Sequence, residues 1–135
     1  MTTTKLNRLL KSLLAPDGSL IDGIPWREDW QVSALDAPCI VSIIDMTAAD
    51  IPRNSTASAS VTFELRLPYQ DYTDEAALTV AEACFAKIAQ TDLTGKDGDD
   101  CILYQFDWQS TQTPNADETE GLRTFSVVYS ALVQY

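Results

Sequence analysis

The chain has 135 residues, with 9 Lys plus Arg, 20 Asp plus Glu and no His, for a net charge of −11. That balance argues against a free-standing DNA or RNA binder, which needs clustered cations to meet phosphates. The missing His removes His-based triads, imidazole metal sites and imidazole pH switches together. Length and a 45% hydrophobic content fit one globular domain over residues 1–135, with a core that needs no staples.

Residues 3 to 14 read as an amphipathic helix. Leu6, Leu9, Leu10, Leu13 and Leu14 follow the i, i+3, i+4, i+7, i+8 rule, while Lys5, Arg8 and Lys11 take the other side. The same cations interrupt the leucines, so the segment does not read as a secretory signal. Ala15-Pro16-Asp17-Gly18 stops the helix. Leu20 to Ile24 reads as a short strand. Pro25-Trp26-Arg27-Glu28-Asp29-Trp30 reads as one helical turn that sets Trp26 and Trp30 on a common face.

Pro38 to Met46 is β-branched and almost continuously apolar, the pattern of a strand buried on both faces. Thr47 to Ser58 is polar and long for a compact domain, which marks it as a contact arm carrying Arg53 and Asn54. Ser60 to Leu67 alternates, with Val61, Phe63, Leu65 and Leu67 on one face. Thr73 to Gln90 is a helix with Thr73 as N-cap and Asp74 and Glu75 on its N-terminal dipole; Ala77, Val80, Ala81, Cys84, Phe85 and Ile88 form its apolar stripe. Thr91 to Asp100 is a loop. Cys101 to Ser110 is a strand with Ile102, Tyr104, Phe106 and Trp108 on one core-facing side. Thr111 to Gly121 is an acidic turn region, and Leu122 to Val133 is a final strand whose Phe125, Val127, Tyr129, Ala131 and Val133 share a face. The pattern predicts an α+β fold: a single mixed or antiparallel β-sheet of four to five strands, with two helices packed on one face.

Little in the chain points to a reactive centre. Cys39, Cys84 and Cys101 are odd in number, match no zinc spacing and sit in apolar runs, so they read as buried, reduced thiols. Glu118 and Glu120, and Asp97, Asp99 and Asp100, lie in hydrophilic segments where nothing predicts the burial that acid–base chemistry needs. The Asp97–Asp100 loop offers oxygen ligands to a hard cation but lacks EF-hand spacing and the distal Glu; a solvated acidic loop is the plainer reading. Leu93-Thr94-Gly95-Lys96 fails as a phosphate loop, with Gln90 in place of the first Gly and Asp97 in place of Ser or Thr. No catalytic residue, cofactor or metal is expected.

Charge and aromatic placement point instead to surfaces. Residues 1–11 carry three basic and no acidic groups; residues 12–135 keep six basic and twenty acidic, a net −14. A basic helix on an acidic body can dock onto an acidic neighbour, including another copy of the chain. Lys5, Arg8, Lys11, Trp26, Trp30, Arg53 and Asn54 are therefore the candidate interface residues, Trp being frequent at interface hot spots.

The element order resembles the small tail terminator, or tail completion, proteins of tailed bacteriophages, the group related to the lambda tail terminator. The features are the short helix Lys5 to Leu14, the Pro-led strand Ala37-Pro38-Cys39-Ile40-Val41-Ser42-Ile43 and the alternating strand Val61 to Leu67. The Ala-rich helix from Asp74 and the closing Tyr129-Ser130-Ala131-Leu132-Val133-Gln134-Tyr135 complete the likeness. The resemblance implies a protomer that assembles into a homohexameric ring, stops growth of the tail tube and offers a surface to the head connector and neck proteins. Localisation to the virion after assembly in the host cytoplasm follows from it, with no membrane and no cofactor. DNA would pass an acidic lumen without specific binding. Other phage neck, connector or tail-tube proteins share this size, and an acidic inhibitor or immunity-type module for a basic enzyme shares the charge.

Overall fold

A computed structural model describes residues 2–27, 37–46, 56–94 and 101–134. Helix α1 (Thr2–Leu14) is followed by β1 (Ser19–Ile21), β2 (Ile24–Arg27), β3 (Cys39–Met46), β4 (Thr56–Pro68), α2 (Asp74–Gln90), β5 (Ile102–Thr111), β6 (Asn115–Asp117) and β7 (Leu122–Gln134). The strands form one seven-stranded sheet in the order β1-β2-β3-β4-β7-β5, with the short β6 beside the far part of β7. β2 and β3 run parallel and every other pair runs antiparallel, so the sheet is mixed. It curls into a half-barrel.

The α+β class stands, and the count of four to five strands is corrected to seven. Asp22-Gly23 makes a two-residue hairpin loop that pairs Ile21 with Ile24. Gly23 sits at φ 84°, a conformation costly for residues with a Cβ and routine for glycine. The expected helical turn from Pro25 to Trp30 is replaced over Ile24–Arg27 by β2, where Trp26 lies beside Ile40 of β3. β6 is the other addition. β4 also begins at Thr56, ahead of the expected Ser60, because Thr56-Ala57-Ser58-Ala59 pairs with Ala131 to Gln134 of β7. Thr and Ser alternating with small alanines make too faint a stripe to read as a strand, and pairing with β7 decides it.

The long central strands show why the alternation is legible. Ala59, Val61, Phe63, Leu65 and Leu67 of β4 and Phe125, Val127, Tyr129, Ala131 and Val133 of β7 are buried on the concave face. α1 lays Leu6, Leu9, Leu10 and Leu14 onto this core, and α2 lays Ala77, Ala81, Cys84 and Ile88 onto it. Phe63 is at the centre, edge-on to Trp26, Phe106 and Tyr129 with ring centroids 6.1, 6.0 and 5.7 Å away. Each such fully buried side chain contributes about 1.5–3 kcal/mol of transfer free energy. β3 is buried on both faces over Cys39-Ile40-Val41-Ser42, as its continuous apolar run predicts. The hydroxyl of Ser42 is satisfied by donating to Oδ1 of Asn7, which ties α1 to β3.

α2 is held at both ends. The Thr73 side chain accepts from the Ala76 N–H at 3.1 Å, the N-cap read from sequence. Asp74 pairs with the Arg123 guanidinium of β7. Lys87, one turn from the C-terminus, donates to the Leu20 carbonyl of β1.

Candidate assembly interface

The sheet has two edges. At β1 the Leu20 carbonyl is taken by Lys87. At the other edge, β5 pairs only with β7 among the described residues. Two irregularities interrupt that ladder. Leu103 pairs with Val133 but Gln105 with Leu132, so Tyr104 is an extra residue; Trp108 pairs with Tyr129 but Ser110 with Val128, so Gln109 is another. The bulge at Tyr104 breaks the alternation expected for Ile102, Tyr104, Phe106 and Trp108. Phe106 and Trp108 stand opposite Ala131 and Tyr129, on the concave side with Leu103. Phe106 stacks on Tyr129 at 4.7 Å and is half-buried. Tyr104 and Trp108, expected in the core, are instead 42% and 59% exposed. The cause is position: β5 has a neighbour on one side only. Tyr104 donates its hydroxyl to Oε1 of Gln134, and Trp108 Nε1 donates to Oγ1 of Thr111 at 3.2 Å.

Two separate hollows lie at the ends of α2. Near the start of α2, Leu78 (48% exposed) borders a space of about 300 Å³ with Pro114, Ala116 and Phe125. Near its end, Ala89, Asp92, Phe106 and Tyr129 border another of about 310 Å³. Leu78 of α2 belongs to the first and Ala89 to the second. The first mixes apolar groups with Asp74, Asn115 and Arg123, and the second sets Gln90, Thr91, Asp92 and Thr94 beside Phe106 and Tyr129.

Most cations on this side of the molecule are engaged. Arg123 is buried; its guanidinium pairs with Asp74, lies 4.3 Å over the Tyr69 ring and directs Nε toward the Tyr69 carbonyl at 3.4 Å. On the convex face Arg66 binds Glu64 at 2.7 Å. Arg27, at the end of β2, is exposed.

The expected interface residues divide into three groups. Arg8 is exposed, and Lys5 and Lys11 are half-buried, on the side of α1 away from its leucines. Trp26 is a correction: at 5% exposure its ring belongs to the core against Phe63, because β2 joins the sheet, and it offers no outward anchor. Trp30, Arg53 and Asn54 lie outside the described residues, as do Asp97, Asp99 and Asp100. Leu78, Glu82 and Trp108 were not singled out as surface groups by sequence reasoning. The polar neighbours of Trp108, namely Asp107, Gln109 and Ser110, were the available signal.

Two buried groups, Cys84 and Tyr129, are shifted upward. Cys39, Cys84 and Cys101 are all buried and outside any disulfide. Burial pushes the Cys84 thiol up to about 12, against a smaller opposing pull from Lys87, and burial also raises Tyr129. A reactive cysteine needs the opposite shift. Among the described residues no group of three or more His, Cys, Asp or Glu is placed to hold a metal ion, and no helix is long and apolar enough to cross a membrane. The chain matches no protein-family model and no curated protein sequence.

Proposed function

We propose that the chain is a structural protein of a bacteriophage virion, a tail terminator whose copies close into a ring of six, end polymerisation of the tail tube and present the joining surface for the head connector. The observation that carries this reading is the large apolar surface left in water by Trp108 at the edge strand β5 and by Leu78 on α2. Exposed large apolar groups of this kind mark a contact surface. A ring needs two unlike patches on each protomer. The basic outer side of α1 and the apolar surface at Trp108 and Leu78 are two such patches. The net charge of −11 suits a channel through which DNA slides, since carboxylates repel phosphates. In this reading the protein acts through the shape and charge of its outer faces.

Electron microscopy of the purified full-length protein, alone and added to polymerising tail-tube protein, tests the proposal. Sixfold rings with a central channel, and tubes whose growth stops when the protein is added, are the expected results. A monomer that leaves tube growth unchanged and binds a cationic enzyme tightly would replace this reading with that of an acidic inhibitor.

A further inference from the structure

We infer that the hollow at the end of α2 binds an organic ammonium group, a primary amine on a short alkyl stem such as a lysine side chain or a free alkylamine carries. The hollow holds about 310 Å³ and is lined by the last residues of α2, by Thr91 to Thr94, and by Phe106 and Tyr129. Tyr129 is the group that calls for a ligand. The residue is 7% exposed, yet its hydroxyl has no hydrogen-bond partner among the described residues. Trp26 Nε1 is the one unpartnered polar side-chain atom sealed from water among those residues, so Tyr129 Oη, unpartnered too, is open to the hollow its residue lines. Polar groups this deep are nearly always satisfied, and here the partner has to come from outside the chain.

The other lining groups fix the sign of that partner. α2 ends at the hollow and brings the negative end of its dipole there. The Thr91 N–H caps the Lys87 and Ile88 carbonyls, while the Ala89 and Gln90 carbonyls meet no backbone donor among the described residues. Asp92 accepts from the Thr94 N–H at 3.1 Å through Oδ1, which leaves its other oxygen for a ligand. No Lys or Arg lines the hollow, and Lys87, the nearest in sequence, donates to the Leu20 carbonyl. Carbonyl, carboxylate and hydroxyl oxygens are the acceptors that an ammonium's N–H donors need, and together they repel an anion.

The rings select an organic cation over a bare metal ion. Phe106 and Tyr129, stacked at 4.7 Å, stand with Ile88 and Leu93 around the hollow, a surface on which an alkyl stem packs and toward which a cation is drawn. A hard divalent ion takes about six or more oxygens, several of them carboxylate. Asp92 is the only acid lining this hollow.

Amide NMR of the full chain, titrated with butylammonium chloride at neutral pH and constant ionic strength, tests the site. Saturable shifts at Ile88 to Thr94, Phe106 and Tyr129, half-complete at about 1–10 mM, are expected. 1-Butanol and butyrate, the neutral and anionic counterparts, are expected to give none there. Tyr129→Phe keeps the ring and removes only the unpartnered hydroxyl; Asp92→Asn keeps the contact to Thr94 and removes the charge. Each should raise the half-saturation concentration about fivefold or more. Glu82→Gln removes an exposed charge of α2 outside the hollow and should stay within about twofold. The amide spectra also report whether each variant is folded. N-acetyl-lysine methylamide binding about tenfold more tightly than butylammonium would support the site with a protein lysine as its occupant; equal or weaker binding would support it with a free amine. Absence of saturable shifts up to about 100 mM, equal binding of butanol, or loss of affinity in Glu82→Gln as large as in Asp92→Asn overturns the inference. Ring formation is not required, so a monomeric chain that binds the amine sinks the assembly reading and leaves this one standing.

Discussion

Replacing Trp108 with alanine separates assembly from folding. The side chain is 59% exposed. A Trp carries up to roughly 250 Å² of surface, so roughly 150 Å² of it is open to water. At about 25 cal/mol per Å², complete covering of that area by a partner yields at most about 3.7 kcal/mol. An interface Trp typically realises part of that ceiling, about 2–3 kcal/mol per contact, which weakens association about 30- to 200-fold when the ring is removed. Within the protomer the same truncation removes an exposed hydrogen bond to Thr111 and little packing, a cost of about 1 kcal/mol. That lowers the melting temperature by about 4 °C in a chain of this size. Sedimentation velocity over a concentration series, with a thermal melt on the same samples, reads both quantities. Unchanged assembly would refute the role given to Trp108. A melting point lower by about 10 °C or more would show that the ring belongs to the core, and the surface argument would fall.

The remaining predictions concern α2 and the core beneath it. Thr73→Ala leaves the Ala76 N–H without its cap and is expected to cost about 1 kcal/mol, read as a lower urea midpoint with unchanged slope, while Thr73→Ser retains most of the stability. The Cys84 thiol stands higher in the folded chain than its ordinary 9.0, so above pH 9 the unfolded chain ionises first. Stability is therefore full below pH 9 and falls as pH rises toward about 12; urea midpoints in Cys84→Ala should fall less steeply, with Tyr129→Phe as the control for the other raised group.

How legible the chain was depended on how each element is partnered. α1, β4, α2 and β7 each bury one stripe against one core, so their side chains keep a strict period of 3.6 or 2, and both the elements and their buried residues could be read directly. The Thr73 cap was legible because a capping hydroxyl acts locally. Leu20 to Ile24 reads as one strand and proves to be two, β1 and the start of β2, parted by the Asp22-Gly23 turn; the rest of β2 was hidden because Pro25 and the paired Trp residues suggested a helical start. β6 and the first residues of β4 were hidden because their polar side chains carry no stripe; pairing with β7 decides them. In β5 the alternation was real as sequence and wrong as structure. An extra residue at Tyr104 shifts the register, and an edge strand leaves part of its inward side uncovered. The basic side of α1 was visible from composition. The exposure of Trp108 was not, since it depends on the bulge and on the place of β5 in the sheet.

The claim that copies of this chain act by joining through their outer faces is tested most directly by its mass in solution. Native mass spectrometry of the full-length protein in near-physiological salt should show one closed stoichiometry, six copies by this account, persisting on dilution until it gives way to monomer. A single protomer mass at every concentration up to the limit of solubility would contradict it.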